Sequence, residues 1–190
     1  AVVGGGIYGY YSNLDVHDCS FFDNAAENWG GGLNLYECTS TITGCHFQGN
    51  STTMWYDGGG MAARQSSFTI NSCTFIDNTA VGQGGGMLSM ASDVNISDCN
   101  FYNNHAGNGG GGMSASGVDS SGTIDNCVFE YNDTGNYASG LQCSGFTGTF
   151  SNCQFMYGTS SFGGGVMVLG LSSPVFTNCT FHGNTNGVGL

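Results

Sequence analysis

Seven cysteines recur at a nearly constant interval: Cys19, Cys45, Cys73, Cys99, Cys127, Cys153 and Cys179, in steps of 26, 28, 26, 28, 26 and 26 residues. Two positions after each stands a phenylalanine: Phe21, Phe47, Phe75, Phe101, Phe129, Phe155 and Phe181. Five positions after stands an asparagine, at Asn24, Asn50, Asn78, Asn104, Asn132 and Asn184, with Gly158 as the exception. Glycine triplets fall between these columns at Gly4, Gly30, Gly58, Gly84, Gly110 and Gly163, and the sixth repeat carries Ser139-Gly140 instead. A chain written in such columns folds as stacked copies of one unit, because a single repeat cannot bury its own apolar face.

About 26 residues is too short for two helices with their turns, and segments rich in Gly, Asn, Ser and Thr are poor helix formers. The residue three before each cysteine is apolar: Val16, Ile42, Ile70, Ile96, Ile124, Phe150 and Phe176. Its neighbours are mostly small and polar, as in Thr41-Ile42-Thr43 and Asn95-Ile96-Ser97, which is the period of two of a half-buried strand. After the glycines, Ile7, Leu33, Met61, Met87, Met113, Leu141 and Val166 head another inward column. Gly9, Leu35, Ala63, Ser89, Ala115, Cys143 and Val168 form the next. The expected fold is all-β: one parallel β-helix domain over 1–190, of about seven coils of 26–28 residues, with three short strands and three turns in each. At about 4.8 Å per coil the rod is roughly 34 Å long. The Phe column should stack ring on ring, the glycines should turn a corner with φ > 0, and the Asn column should form an amide ladder at a bend.

The motif Cys73-Thr74-Phe75-Ile76-Asp77-Asn78-Thr79-Ala80 followed by Gly84-Gly85-Gly86-Met87 resembles the FxxN and GGA(I/L) repeats of polymorphic outer-membrane proteins. It is similar, more broadly, to the pectin-lyase-like right-handed β-helices of surface adhesins, with Gly-Gly-Gly where those have Gly-Gly-Ala. The resemblance covers nearly the whole chain. It implies a right-handed coil, which is also the general preference of parallel crossovers, and an extracellular or cell-surface setting. It implies no particular activity, since fold alone does not specify chemistry.

The cysteine column should point inward. Neighbouring coils lie within the Cα separation that a disulfide accepts, so the column reads either as a ladder of reduced thiols or as coil-to-coil disulfides. The chain has nine cysteines, so at least one has no partner within it. Cys143 reads as a core residue, and Cys38 is close enough in sequence to pair with Cys45. Sequons stand at Asn50, Asn95, Asn132 and Asn178. Asn95 and Asn178 fall between inward residues and are the expected glycan acceptors, whereas Asn50 and Asn132 belong to the Asn ladder.

Charge narrows the chemistry. Lys and Arg together number 1, Arg64, against 13 Asp and Glu, for a net charge of -12. That excludes an electrostatic footprint for nucleic acid, and it argues against a polyuronate lyase, which needs a basic general base and cations for the substrate's carboxylates. A hydrolase needs converging acids; Asp93, Asp98, Asp119, Asp125, Glu130 and Asp133 show no pair repeated on neighbouring coils and read as turn residues. No metal or cofactor is expected: C-x-x-C is absent and His17, His46, His105 and His182 lack ligand spacing. The strand pairs Thr41/Thr43, Thr69/Asn71, Asn95/Ser97, Thr123/Asp125 and Thr149/Ser151 make an irregular version of the Thr-x-Thr face of ice-binding β-helices.

No apolar run of 18 residues exists to span a bilayer as a helix, and the first residues have no signal-peptide character. Both ends read as uncapped coils. Joining Leu190 to Ala1 of another copy would set Cys179 and the next Cys19 thirty residues apart, near the repeat. The expected partners are therefore further coils, of the same chain or of copies stacked end to end, together with glycans. Tyr8, Tyr10, Tyr11, Trp29, Trp55 and Tyr56 suggest lateral contact. The reading is a non-enzymatic structural or adhesive β-helix, with a carbohydrate-binding or carbohydrate-hydrolysing β-helix and an ice-binding one as alternatives.

Overall fold

The computed structural model describes residues 2–55 and 57–186, apart from the side chain of Asp119. The expectations placed on Tyr56, on the Asp119 carboxylate and on the junction of Leu190 with Ala1 lie outside the described residues. Every element is a β-strand, and every pairing is parallel, residue for residue in the register of the repeat (Phe21↔Phe47↔Phe75, Ile42↔Ile70↔Ile96). Seven coils stack into a solenoid.

Each coil has four strand columns rather than the three expected. In coil 2 these are Leu33–Tyr36, Thr39–Thr43, His46–Gln48 and Ser51–Thr52. The fourth column is only two residues long, too short to show a period, which is why the sequence hides it. In coil 5 the first two columns merge into one strand, Met113–Asp125. The 28-residue steps are now located. Coil 3 gains two residues in the loop before its first strand, between Thr52 and Met61, where the spacing of partners changes from 26 at Ala26↔Thr52 to 28 at Leu33↔Met61. Coil 5 gains two between Ser116 and Ser121, where the register to coil 4 changes from Met90↔Ser116 to Asp93↔Ser121.

Four columns need four corners, and each is turned by one residue in the left-handed region. The corner positions are, in coil 3 for example, Gly58, Gln65, Ser72 and Asp77, with φ of 83, 49, 53 and 55°. Coils 1, 2, 4 and 6 repeat this, while coil 5 has Gly117 and Gly122 within its merged strand and coil 7 has both Gly163 and Gly164 at its first corner. Only the first corner is regularly glycine. Asp, Asn and Gly dominate the third and fourth, as expected of residues whose short side chains tolerate this conformation. The triplet at the first corner has a further cause in coil 2. Gly30 has φ 60°, a Cβ on Gly31 would sit 2.3 Å from the Gly59 carbonyl oxygen, and one on Gly32 would sit 3.2 Å from the Asn50 amide carbon.

At the third and fourth corners, and at the second corner of coils 2 to 4, the residue after the left-handed one points inward and serves as a hydrogen-bond relay, with Gly158 the exception; at the second corner of coils 5 and 7 the corresponding Val118 and Leu171 are exposed. The relay side chain accepts the backbone N–H of the same column in the preceding coil. The Asn50 N–H donates to Asn78 Oδ1 at 3.0 Å, while Asn50 Nδ2 donates both to Asn78 Oδ1 and to the Phe21 carbonyl. The Cys45 and Cys73 N–H groups donate to the Sγ of Cys73 and Cys99 at 3.3 and 3.4 Å. Every thiol of the column, from Cys19 to Cys179, donates to the carbonyl two residues before it. At the second corner serine has this role: Cys38 N–H donates to Ser66 Oγ and Ser66 N–H to Ser92 Oγ, at 3.0 and 3.1 Å. Such relays satisfy buried backbone donors that would otherwise cost about 1–3 kcal/mol each.

This arrangement corrects the reading of Cys38. It stands in the serine column, its thiol donating to the Tyr36 carbonyl, and it does not pair with Cys45. All nine cysteines are free thiols, and seven of them are buried. Burial pushes the isolated Cys143 thiol up to about 12; the neighbouring Cys99 thiol and burial together raise Cys73.

The interior is filled by like residues in line. The rings from Phe21 to Phe155 stack nearly parallel at 4.6–4.8 Å. Met61, Met87 and Met113 with Ile42, Ile70, Ile96 and Ile124 complete the core. The two irregularities of the sequence prove to be one. Where the Asn ladder is broken by Gly158, the glycine triplet of the sixth coil is broken by Ser139. A Cβ on Gly158 would lie 2.0 Å from Ser139 Oγ, so the serine fills the space the missing asparagine leaves. Ser139 Oγ donates instead to the Gly164 carbonyl at 3.0 Å.

Candidate functional site: the aromatic patch of coils 1 to 3

Residues pointing outward from the first strand column share one face. In coils 1 to 3 these are Tyr8 and Tyr10, Asn34 and Tyr36, Ala62 and Arg64, paired in register. The chain entering each coil crosses over this face before the first corner, in a line that joins Val3 to Trp29 and, further along, Gln83 to Gly109, Tyr137 and Phe162. It buries Asn34, Ala62, Leu88 and Ser114 although they point away from the core. The sequence offered no signal for this second layer, since its residues lie in loops without a period.

Arg64 lies between two rings. Its guanidinium carbon is 4.0 Å from the centre of the Trp29 ring and 4.8 Å from that of Tyr36. Tyr10 stacks on Tyr36 at 5.7 Å, and Tyr11 meets Tyr10 edge-on at 4.4 Å. Tyr11 Oη donates to Glu37 Oε1 at 2.9 Å, and that bond to a carboxylate holds the Tyr11 phenol above its ordinary range. The same Glu37 carboxylate raises Tyr36. Tyr10, Tyr11 and Trp55 are exposed at 56, 58 and 79%, while Trp29 and Tyr36 are half-buried. Beside the patch an open groove of about 580 Å³ follows the second corner, lined by Glu37, Gln65, Ala91, Asp93 and Val118 among others.

Asn95 is exposed in the middle of the second column, its Oδ1 accepting from Thr123 Oγ1 at 2.8 Å, and Asn178 is exposed at the third corner with φ 53°. Asn50 and Asn132, at 0 and 1% exposure and with their amide groups engaged in the ladder, have no room for a glycan on the folded coil. Asp93 and Asp125 lie on the second column, Asp98 at a corner, Glu130 on the third column and Asp133 on the fourth. The acids are used locally. Asp98 accepts from Asn126 and Asn71, and Asp125 accepts from Ser151 and Asn152, which holds its carboxyl below the usual range. His105 Nδ1 is 2.8 Å from Asp133 Oδ2, and this partner raises the imidazole. Among the described residues no three His, Cys, Asp or Glu side chains come together as metal ligands. On the Thr face the polar groups bond to one another across coils, Asn71 to Ser97 and Thr123 to Asn95.

One acid escaped the sequence reading. Asp57, in the covering layer, is buried with its Oδ1 accepting the Gly82 N–H at 2.9 Å, and burial lifts its carboxyl to about 7. No helix among the described residues is long and apolar enough to cross a membrane.

Compared with known proteins, residues 3–117 and 87–190 match a family model described as a right handed beta helix region. No curated protein and no solved structure matches the chain.

Proposed function

The chain belongs to the right-handed β-helix family, and from that premise we propose that it is a non-enzymatic structural or adhesive rod of a cell-surface or extracellular assembly. The observation that carries the adhesive reading is the aromatic patch. Tyr8, Tyr10 and Tyr11 stand exposed together at the first strand column, where large aromatic side chains mark a contact surface rather than a core. A rigid ladder of strands holds this surface with little entropy left to lose on binding.

A second observation favours assembly along the axis. Ile7 and Cys19 of the first coil, and Val168 and Phe181 of the seventh, belong to inward columns yet are exposed. Another coil laid on either end, from the same chain or from another copy, would continue those columns. The carboxylates do not favour a hydrolase over this reading, because Asp93, Asp98, Asp125 and Asp133 are each engaged with a neighbouring Ser, Asn or His side chain. The Thr face fits ice binding less well than it fits a solvated sheet surface, since its Thr ladder is irregular and Ser97, Thr123 and Ser151 bond to neighbouring Asn or Asp side chains.

The test is adhesion without turnover. Beads coated with the chain should adhere to extracellular matrix or glycan-coated surfaces, and Tyr8→Ala/Tyr10→Ala/Tyr11→Ala should abolish this without lowering the melting temperature. Release of reducing sugar from the same surfaces, or undiminished adhesion by the triple variant, would refute the proposal. Mass spectrometry of secreted material should find glycans at Asn95 and Asn178 alone.

A further inference from the structure

We propose that Arg64 anchors a carboxylate-binding site whose ligand is an organic acid with a flat or apolar frame that lies on the surrounding tyrosines. This deepens the adhesive reading and rests on it.

The chain has 13 carboxylates and one permanent cation, yet among the described residues no carboxylate pairs with that cation; the one ion pair is His105 with Asp133. Glu37, on the same patch, turns to Tyr11 in the first coil. A half-buried guanidinium without an anion is an expensive feature to keep in a fold that otherwise excludes positive charge. Its Nε is buried and unpartnered, and so are both polar atoms of the Asn34 amide, which is fully buried on the same face in the adjacent coil.

Geometry then limits what can bind. Trp29 and Tyr36 occupy the vicinity of the guanidinium faces at 4.0 and 4.8 Å, so what remains for a ligand is the edge of the fork. A guanidinium edge matches a carboxylate with two parallel N–H···O bonds. Stacking fixes the plane of the fork in advance, so little freedom is lost when the anion arrives. The exposed ring of Tyr8 near the fork and that of Tyr10, stacked on Tyr36 one coil further, supply an apolar floor with hydroxyl ends, which suits a ring or flat chain attached to the carboxylate better than a bare anion. A single cation on a chain of net charge -12 also selects against ligands carrying several negative charges, which the rest of the surface repels.

Trp29 is a built-in reporter. In the Trp55→Phe protein, which leaves Trp29 as the sole tryptophan, we expect saturable fluorescence change on titration with 4-hydroxyphenylacetate. Its neutral amide and acetate should bind at least about tenfold more weakly. Arg64→Lys keeps the charge but loses the flat fork, and should weaken the aromatic acid by about tenfold or more. Should that variant fail to fold, Tyr10→Ala serves instead, because it should weaken the aromatic acid and leave acetate unchanged. Glucuronate and N-acetyl-Glu-Tyr-amide, titrated in parallel, distinguish an acidic sugar from an acidic peptide as the source of the carboxylate.

Equal binding of acid and amide would overturn the proposal. So would wild-type affinity in Arg64→Lys, or no saturable response to any acid below about 10 mM. Adhesion lost in the triple tyrosine variant but kept in Arg64→Lys would sink the carboxylate site while leaving the adhesive reading in place.

Discussion

The paired irregularity of the sixth coil offers the sharpest test of how this fold is specified. Restoring the consensus at one position, Gly158→Asn, should destabilise the protein. The new Cβ would lie 2.0 Å from Ser139 Oγ and 2.7 Å from Ser139 Cβ, an overpacking that costs up to about 3 kcal/mol. Ser139→Gly alone removes the bond to the Gly164 carbonyl, about 1 kcal/mol, and adds the backbone entropy of glycine, a further ~0.5–1 kcal/mol. If the two acted independently, the double variant would lose about 4–5 kcal/mol. Together they rebuild the ladder instead. The introduced asparagine could accept the Asn132 N–H and Nδ2–H just as Asn132 Oδ1 now accepts both from Asn104, at about 1 kcal/mol each. The double variant should therefore match the wild type within about 1 kcal/mol, a coupling of roughly 4 kcal/mol. Guanidinium unfolding of the four proteins, followed by far-UV circular dichroism, measures this directly, and an unchanged m-value guards the comparison. Coupling below about 0.5 kcal/mol would show that the two departures are unrelated, and that the compensation argued from the geometry is wrong.

Cys99→Ser should cost under about 1 kcal/mol, because serine is already the relay at the second corner, whereas Cys99→Ala strands the Cys73 N–H and should cost about 2–3 kcal/mol in the same unfolding assay. Under native conditions a thiol reagent should modify Cys19 and Cys179 first, and the seven buried cysteines should react only as the protein unfolds; early reaction of more would contradict the buried ladder. Asp57 has a folded pKa of about 7, above the ordinary unfolded value near 4, so its contribution to stability is full below about pH 4 and is lost as the pH rises toward 7, by at most about 1.4 kcal/mol per pH unit. The wild-type minus Asp57→Asn difference in unfolding free energy should carry that slope, and a flat difference between pH 4 and 7 would disprove it.

The coil, its register and its stacked interior were legible in the sequence because a parallel solenoid repeats every contact at a fixed chain interval. Cys, Phe and Asn at constant spacing have no other economical arrangement than columns, and the Phe column and the amide ladder follow from that spacing alone. The periodic signal stops where the physics is not periodic. Two-residue strands such as Ser51–Thr52 are below the length at which alternation can be seen, so four corners read as three. The glycine corner was legible, but the other left-handed corners were hidden because Gln65, Ser72 and Tyr131 carry no common chemistry; what they share is a backbone angle. Cys38 looked like a disulfide partner because linear distance to Cys45 is small, but a corner separates them, and only the three-dimensional columns assign Cys38 to serine's place. The aromatic patch was legible only in part: Tyr8, Tyr10, Tyr11 and Trp55 read as contact residues and are exposed, but their grouping around Arg64 could not be read. Trp29, Tyr36 and Arg64 meet because the loop entering the second coil folds back over the sheet, and non-local packing of that kind leaves no trace in spacing. The sequence by itself determined the repeating backbone, since each column satisfies its hydrogen bonds with its own kind. Tertiary structure decided which side chains face one another off the repeat, because contacts between unlike columns depend on corner geometry that no residue encodes alone.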